Sequence, residues 1–162
     1  MKEILVPYTG QAYECTMCGA CCHHHIVPLT KTDLERIGST LDPESFAAYH
    51  ESLGSIVLAR GDEGGCTLLK GSRCGIHDTK PVICRLFPFA AYPEPRDAAD
   101  GLAHEYLLPD GSLVYLYVNT ACPGVREDAR APMPRWLLSL IQRIRIEMAL
   151  TRFYYEITSS DR

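Results

Sequence analysis

The chain has 162 residues, of which 46% are hydrophobic and 22% are charged, and its formal net charge is −4. This length predicts a single domain, residues 1–162, that is long enough to bury its own core. The net negative charge disfavours non-specific binding to nucleic acid or to an anionic membrane, so we expect neither as a partner. No stretch approaches the ~20 apolar residues of a transmembrane helix.

The N-terminal segment is not typical of a secretion signal, because its apolar run is short and Pro7 interrupts it. We therefore expect a cytoplasmic protein, in a compartment where disulfides are disfavoured. The eight cysteines then indicate metal ligands or redox groups rather than a disulfide framework. All of them lie in predicted loops or turns with glycine or proline nearby, whereas structural cysteines would be scattered through apolar strands and helices.

Residues 1–14 predict a short strand and a loop that lead into the first cysteine motif, C-x-x-C-G-x-C-C. The cysteines of this motif are Cys15, Cys18, Cys21 and Cys22. Two thiolates in a C-x-x-C turn can converge on one metal, and C-x-x-C-x-x-C is also the spacing that holds three corners of an iron–sulfur cluster. Gly19 lies where such a turn often needs a positive φ or a close backbone approach. Cys22 directly follows Cys21, and we expect it to reach a second site or a bridging position.

Three histidines, His23, His24 and His25, leave this motif in a segment that we expect to be extended. Successive side chains then point in alternate directions, so at most one or two of them could bind the same metal. A solvated polar exit from the turn is the favoured interpretation, and a ligand beside Cys22 is the alternative.

Two helices and a strand are predicted between the two cysteine segments. The first helix covers residues 32–38, with Thr32 or Asp33 as its N-cap. The second helix starts at a proline and covers residues 43–53, and the strand covers residues 55–59.

The second cysteine segment contributes Cys66, Cys74 and Cys84. A short strand is predicted over residues 67–70, and Asp78 or Thr79 is expected to cap the helical turn that carries Cys84. Three prolines then predict an extended, irregular connection over residues 88–95.

Two polar residues of this segment are expected to lie near whatever its cysteines bind. We expect His77 to act by hydrogen bonding beside the site rather than as a ligand. Arg85 either donates to a sulfur and offsets thiolate charge or forms a surface ion pair, and the sequence leaves both open.

A β-hairpin is predicted at residues 102–118, because a Pro-Asp-Gly turn separates two alternating aromatic runs. The chain then reaches Cys122, which is followed by Pro123. A ligand cysteine followed by proline also ends the cysteine runs of bacterial ferredoxins.

The last predicted element is a long helix at about residues 134–157. Its first apolar face consists of Leu137, Leu140, Ile141, Ile144 and Met148. Its second half turns a different apolar face outward, formed by Ile146, Ala149, Leu150, Phe153 and Ile157. We expect this second face to contact a second copy of the chain, giving a homodimer, or a partner protein. The alternative is a second internal layer against residues 30–53.

Together these motifs resemble the CxxCxxCC cysteine-cluster family, which is described as a zinc- or iron-chelating domain. The stretches that match are residues 15–22, 66–88 and 122–124. The resemblance implies that the ligands are Cys15, Cys18, Cys21, Cys22, Cys66, Cys74, Cys84 and Cys122. A larger relative in that family is a flagellin lysine methylase, and little in this chain beyond the cysteine domain supports that activity.

Eight ligands divide naturally into two sites of four. In the favoured partition one site is Cys15, Cys18, Cys21 and Cys122, and the other is Cys22, Cys66, Cys74 and Cys84. The alternative is a single larger cluster that the vicinal pair bridges. In either case we expect an α+β domain whose irregular loops are tied together by metal, with the hairpin and the long helix as its regular parts.

Iron–sulfur is the predicted occupant, as a 4Fe-4S cluster, and zinc is the alternative. Structural zinc usually takes two short C-x₂₋₄-C pairs, whereas three local cysteines and one distant cysteine suit a cubane. Apolar residues expected to shield such a cluster are Ile76, Ile83, Leu86, Phe87 and Phe89.

Three functions follow from these alternatives. The first is electron transfer with a redox partner protein, in which case the chain is a component of an oxidoreductase. The second is a zinc-stapled structural or metal-handling module without catalysis. The third is a domain accessory to a protein-modifying enzyme of the lysine methylase kind.

Overall fold

The computed structural model describes residues 3–101 and 104–160, without the side chains of His24 and of residues 154–160. Helices and small antiparallel sheets make up this part of the chain, which confirms the predicted α+β class. The helices are α1 (Cys21–His24), α2 (Lys31–Gly38), α3 (Pro43–Phe46), α4 (Val82–Leu86) and α5 (Leu137–Ser160). The strands are β1 (Leu5–Pro7), β2 (Gln11–Tyr13), β3 (Ala47–His50), β4 (Ser55–Leu58), β5 (Leu69–Lys70), β6 (Arg73–Cys74), β7 (Phe89–Tyr92), β8 (Glu105–Leu107), β9 (Leu113–Asn119) and β10 (Val125–Arg130). A single domain over residues 1–162 stays a prediction.

Strand β9 is the centre of the largest sheet in the described residues. Strands β8 and β1 pair with successive parts of one of its edges, and β7 pairs with the other edge, all antiparallel. The predicted hairpin is confirmed as the β8–β9 pair, closed where the Leu108 N–H donates to the Ser112 carbonyl at 2.9 Å. Residues 102 and 103 of that prediction lie outside the described part.

The alternation along β9 decides which face of this sheet is buried. Val114, Leu116 and Val118 lie on one face, because successive side chains of a strand alternate, and each is at most 2% exposed. The residues that complete this first core are Tyr8, Phe89, Leu108, Leu137 and Ile141. Helix α5 therefore covers the sheet with its N-terminal half.

The predicted C-terminal helix is confirmed, although it begins at Leu137 rather than at about residue 134. Its first apolar face is buried at Leu137, Ile141 and Ile144. Its second face is open to solvent, because Leu150 is 62% and Phe153 is 61% exposed. The side chain of Ile157 lies outside the described part. No helix within the described ranges has the length and apolar character needed to cross a bilayer.

Polar groups connect the second half of α5 to the segment around residue 30. The Thr30 hydroxyl donates to Glu147 Oε2 at 3.0 Å, and the Lys31 backbone N–H donates to Thr151 Oγ1 at 2.9 Å. Leu150 and Phe153 themselves remain exposed, so the alternative prediction of an internal layer against residues 30–53 is wrong for these two side chains.

An interface between this face of α5 and a second copy of the chain stays a prediction. Ile146, Leu150 and Phe153 recur at steps of four and three residues, which aligns them in one stripe, as in helix–helix seams. We expect Leu150→Asp combined with Phe153→Asp to convert a sedimenting dimer into a folded monomer. The control is Leu107→Asp, at a leucine of β8 that is also 62% exposed, and it should leave the mass unchanged. A wild-type protein that sediments as a folded monomer would contradict the prediction.

The predicted helix over residues 43–53 is wrong beyond its first turn. Helix α3 begins as expected, with Asp42 as N-cap and Pro43 in the first position, but it ends at Phe46. The chain then forms β3, which pairs with β4 along its whole length. Phe46 is fully buried in a second core that also contains Val27, Leu29, Ile37 and Leu58. Burial of Phe46 and pairing with β4 outweigh the local helical propensity.

Helix α2 is capped by Thr30, two residues before the predicted cap. The Thr30 hydroxyl accepts from the Asp33 N–H, and the Asp33 carboxylate accepts from the Thr30 N–H, which is a capping box. Asp33 Oδ1 also accepts from the Val82 N–H at 3.2 Å, so it caps α4 as well. The prediction that Asp78 or Thr79 caps that helix is wrong, because both lie in a separate 3₁₀ turn.

Asp33→Ala should destabilise the metal-loaded protein by about 3 kcal/mol in urea unfolding. The Asp33 side chain is fully buried and accepts from Arg36 Nη2 at 2.6 Å. Its loss removes the carboxylate partner of the Arg36 cation, which keeps only the Thr79 and Lys80 carbonyls, and leaves two backbone N–H groups without their acceptor. The control is Asp42→Ala at the exposed N-cap of α3, which should cost about 1 kcal/mol. Equal losses for the two variants would show that the link to α4 adds nothing.

Strands β7 and β10 are among those that the sequence did not predict. Residues 89–92 form β7 against β9, so the predicted irregular connection begins only at Pro93. Residues 125–130 form β10, which pairs with β2 despite its polar composition. This second pairing closes the loop that carries Cys122 against the start of the first cysteine motif.

Candidate metal centre

The first motif passes through an irregular turn between β2 and α1. Cys15 and Cys18 are exposed there, and Met17 between them has a φ of 53°. Gly19 has a φ of 70°, and a Cβ on it would lie 2.5 Å from the Ser72 carbonyl oxygen. Glycine is therefore required on both grounds, as predicted. The turn lies directly against the β5–β6 hairpin of the second cysteine segment.

Cys122 is brought to this turn by the two segments that follow β9 and β2. The Glu14 N–H donates to the Gly124 carbonyl at 3.0 Å, and a Cβ on Gly124 would come within 2.1 Å of the Glu14 carbonyl oxygen. Burial raises the pKa of the Cys122 thiol, and the nearby sulfurs of Cys18, Cys21 and Cys15 raise it further. The cysteine most distant in sequence thus lies beside the three that the partition assigns to it.

Tyr13 is a residue of this region that the sequence analysis missed. Its hydroxyl donates to the Phe87 carbonyl at 3.4 Å and is also hydrogen-bonded to the Cys15 thiol. Burial is the main cause that raises the pKa of Tyr13, and the sulfurs of Cys15, Cys122 and Cys21 add to it. Tyr13 therefore packs against the thiols of the first proposed site, Cys15, Cys18, Cys21 and Cys122, which we call the first group.

The second group of cysteines consists of Cys22, Cys66, Cys74 and Cys84, which come from α1, the loop before β5, β6 and α4. The Cys66 N–H donates to the Cys22 carbonyl at 2.9 Å, which joins the two segments at the backbone. Cys74 ends β6 and pairs with Leu69 of β5. Cys84 lies in α4, whose first turn is fixed by Asp33.

Cys22 is hydrogen-bonded through its thiol to both Cys21 and Cys74. Hydrogen bonding with the Cys22 thiol is the largest cause that lowers the pKa of Cys21 and of Cys74. The same contacts raise the pKa of Cys22, because they favour its protonated form. The Cys21 sulfur also raises the pKa of Cys122 and the pKa of Cys84. Cys21 is therefore the residue at which the two groups of thiols adjoin.

Cys84 is a half-buried thiol of the second group. Burial raises its pKa, the sulfurs of Cys21, Cys66 and Cys74 raise it further, and the Lys80 ammonium opposes the increase. Lys80 also lowers the pKa of Cys21 and of Cys74, although hydrogen bonding with Cys22 is the larger cause for both. A cation at this place offsets part of the negative charge that thiolates would bring together.

A cavity of about 360 Å³ adjoins the second group. Five of the eight cysteines line it, namely Cys21, Cys22, Cys66, Cys74 and Cys84. The apolar residues expected to shield a cluster also line it: Ile76, Ile83, Leu86, Phe87 and Phe89. These thiols therefore border an apolar space.

The histidines and Arg85 are placed differently from one another. His23 and His24 belong to α1, so the predicted extended exit is wrong at these two residues. His77 Nε2 lies 4.0 Å from Cys15 Sγ, which places His77 beside the first group. Arg85 donates to the backbone carbonyls of Asp78 and Lys80, so its described bonds are neither to a sulfur nor to a carboxylate.

The eight cysteines form a donor set that fits metal binding by thiolates. Thiolates are ligands that both zinc and iron–sulfur clusters take. Among the side chains that the structure describes, no three of His, Cys, Asp or Glu are arranged as a preformed metal site.

Sequence comparisons agree with the cysteine pattern. A family model described as "CxxCxxCC: Putative zinc- or iron-chelating domain" matches residues 14–123, which include all eight cysteines. The chain is also 34% identical over 87 residues to an uncharacterised protein of Methanocaldococcus jannaschii. That match covers 50% of this chain and 47% of the relative, so the chain spans about half of the relative's length. No solved structure matches the chain significantly. On the extent of the family match, the chain belongs to the CxxCxxCC family of zinc- or iron-chelating cysteine domains.

Proposed function

We propose that the chain is an iron–sulfur protein that exchanges electrons with a redox partner protein. The observation that carries the proposal is the gathering of eight cysteines from three separate parts of the chain into two adjoining groups. A bound 4Fe-4S cluster would supply one-electron transfer at such a site. The protein's own part is to supply thiolates, to limit water at the sulfurs and to balance their charge.

The choice of iron–sulfur over zinc rests on ligand spacing and on the apolar wall. The first motif offers a C-x-x-C-x-x-C triple, and Cys122 beside it is followed by proline, as in ferredoxin runs. The second group borders an apolar cavity, and a low-dielectric surrounding of this kind tunes a cluster's potential. The Lys80 ammonium would offset part of the net charge of that cluster.

The ligand partition is part of the same proposal. One site would use Cys15, Cys18, Cys21 and Cys122, and the other would use Cys22, Cys66, Cys74 and Cys84. The division is supported by which sulfurs raise one another's pKa: Cys66 and Cys74 act on Cys84, whereas Cys15 and Cys18 act on Cys122. Cys21 acts on both and lies between the two groups. Two clusters held by a vicinal Cys21–Cys22 pair would be close enough to exchange electrons with each other.

Zinc in a structural or metal-handling module is the second candidate. Cys15 and Cys18 are exposed, and a structural zinc site tolerates water better than an oxygen-sensitive cluster does. The family description names zinc beside iron. Zinc carries no redox chemistry, so this candidate excludes electron transfer.

Anaerobic purification followed by iron, acid-labile sulfide and zinc analysis separates the two candidates. We expect brown protein with broad visible absorption that contains iron and sulfide in equal amounts. The colour should bleach on oxidation. The control is the Cys84→Ala variant prepared in parallel, which should lose part of the colour. Colourless protein with stoichiometric zinc after expression in ample iron would overturn the iron–sulfur proposal.

A further inference from the structure

Residues 93–101 form a strap over the outer face of the sheet around β9, the face opposite α5 and the first core. The strap follows β7 and contains one 3₁₀ turn, Ala98–Asp100. Tyr117 belongs to this outer face, because it alternates with the buried Leu116 of β9. It is nevertheless only 1% exposed, and His104 beside it is 0% exposed. The strap therefore lies against a buried tyrosine and a buried histidine.

A single oxygen carries the described hydrogen bonds between the strap and the sheet. The Tyr117 hydroxyl donates to Asp100 Oδ2 at 2.6 Å and accepts from the Arg96 backbone N–H at 2.8 Å. The other hydrogen bonds described for the strap stay within its own capped 3₁₀ turn. The Arg96 guanidinium adds a contact with the Tyr92 ring, 5.4 Å from the ring centroid. Attachment of the strap therefore depends mainly on the Tyr117 hydroxyl.

The same hydroxyl determines which nitrogen of His104 carries the hydrogen. Tyr117 Oη has one proton, which the short bond to Asp100 uses. Burial and then this bond raise the pKa of Tyr117, so the proton is retained. His104 Nε2 lies 3.0 Å from Tyr117 Oη and must therefore donate to it. A neutral imidazole has one N–H, so Nδ1 is bare, and Nδ1 is buried without a hydrogen-bond partner among the described residues.

Protonation of His104 does not fit this closed arrangement. The second proton would lie on Nδ1, where it would be a buried donor without an acceptor on a buried cation, and both cost free energy. Asp100 accepts from Tyr117 and from the Asp97 N–H rather than from the imidazole. The remaining titratable or charged groups of the elements packed around it are Tyr92 of β7, Tyr115 of β9, Glu105 of β8, and Glu94, Arg96 and Asp97 of the strap. Among these described groups, none is hydrogen-bonded to Nδ1.

We propose that the Tyr117 hydroxyl is a pH-sensitive latch, which holds the strap on the sheet while His104 is neutral and releases it when His104 is protonated. An imidazole that is free in solution takes up a proton near pH ~6.5. The open state then binds a proton that the closed state does not, so acid favours the open state and neutral pH favours the closed state. Release would uncover the outer face of the sheet around Tyr117. The latch contains none of the cysteines, so it goes beyond the proposed function and holds or fails independently of it.

Hydrogen exchange of the Arg96 backbone N–H, followed by NMR on anaerobic, metal-loaded protein, reports the latch directly. We expect its protection factor to fall about tenfold between about pH 7.5 and about pH 5.5, since the protonated fraction of a free imidazole rises about tenfold over that range. Free carboxyl groups, which take up protons near pH ~4, keep their charge there. The control is the Leu58 N–H, which donates to Val27 in the second core and should keep its protection. Equal protection of the Arg96 N–H at both pH values would overturn the proposal.

His104→Gln separates the imidazole from other effects of acid. Its amide can supply an N–H donor to Tyr117 and does not titrate in this range. We expect the Arg96 N–H in this variant to be equally protected at both pH values. Loss of metal at the lower pH would affect both proteins alike, so their difference still reports His104. A tenfold fall that persists in folded His104→Gln would assign the pH dependence to another group and refute the proposal.

Tyr117→Phe tests the latch itself at constant pH, with Tyr115→Phe as the matched control. Tyr117→Phe keeps the ring and removes the oxygen, so trypsin should cleave after the exposed Arg96 about tenfold faster than in the wild type. Tyr115→Phe removes a hydroxyl that donates to Glu105 and should be cleaved at the wild-type rate. Both variants should keep the wild-type metal content, because neither tyrosine is a proposed ligand. Wild-type cleavage of Tyr117→Phe, or equal acceleration in the two variants, would refute the latch even if His104→Gln does not fold.

Discussion

Removal of metal should lower the stability of this protein more than any single substitution outside the cysteines. The proposed ligands join short elements that have little support of their own: α1 has four residues, and β5 and β6 have two residues each. Structural metal in small cysteine domains contributes on the order of 10 kcal/mol to folding. We expect the metal-free protein to melt far below the metal-loaded protein, or to lose its cooperative transition.

The loss should be uneven along the chain, and hydrogen exchange can resolve it. Protection should fall most in the segments around Cys18, Cys66 and Cys74, which have few other contacts to hold them. The sheet around β9 should keep more protection, because Leu116 and Val118 are fully buried beneath α5. Mock-treated protein and protein reloaded with its metal are the controls. An unchanged melting temperature after complete metal removal would contradict this prediction.

Elements whose signal is local were predicted well from the sequence. The β8–β9 hairpin has a turn sequence between alternating runs, and its pairing follows directly. The first face of α5 repeats at helical spacing and is buried at Leu137, Ile141 and Ile144. The outward second face, with Leu150 and Phe153 exposed, was also visible in the periodicity.

Elements that depend on distant partners were not predicted. Residues 47–50 carry helix-compatible side chains, yet they form β3 because β4 provides the pairing and Phe46 fills a core. Strand β10 is mostly polar, and its pairing with β2 is set by long-range approach rather than by alternation. The pattern of residues in one sequence does not show which distant strand will pair with residues 47–50 or with β10.

The ligand assignment of the candidate site stays a prediction, and parts of its surroundings were missed. Cysteine spacing indicated the thiols, and Cys122 lies near Cys15 and Cys18. Their partition into two sites stays a prediction. The roles of Asp33 and Lys80 were missed, since a buried carboxylate that caps two helices has no sequence signature beyond an ordinary N-cap. The Lys-Pro step before α4 could have suggested a cation near Cys84.

Single Cys→Ala variants should divide into classes by the metal that each loses per chain. If two sites exist, Cys18→Ala should lose the metal of the first site and keep most of the second, while Cys84→Ala should do the reverse. Each should therefore retain about half of the wild-type content, since a site deprived of one of four thiolates loses most of its affinity. Thr16→Ala, at an exposed residue of the same turn, is the matched control and should retain all of it.

Cys21 is the residue at which this division should break down. Its sulfur is hydrogen-bonded to Cys22 and raises the pKa of Cys84, both in the second group. It also raises the pKa of Cys122 in the first group. Removing it takes a ligand from one site and a neighbour from the other. We expect Cys21→Ala to lose more metal per chain than Cys18→Ala or Cys84→Ala, measured by elemental analysis of folded, anaerobically purified protein. Complete loss of metal from all three variants would instead indicate one coupled cluster that the vicinal cysteines bridge.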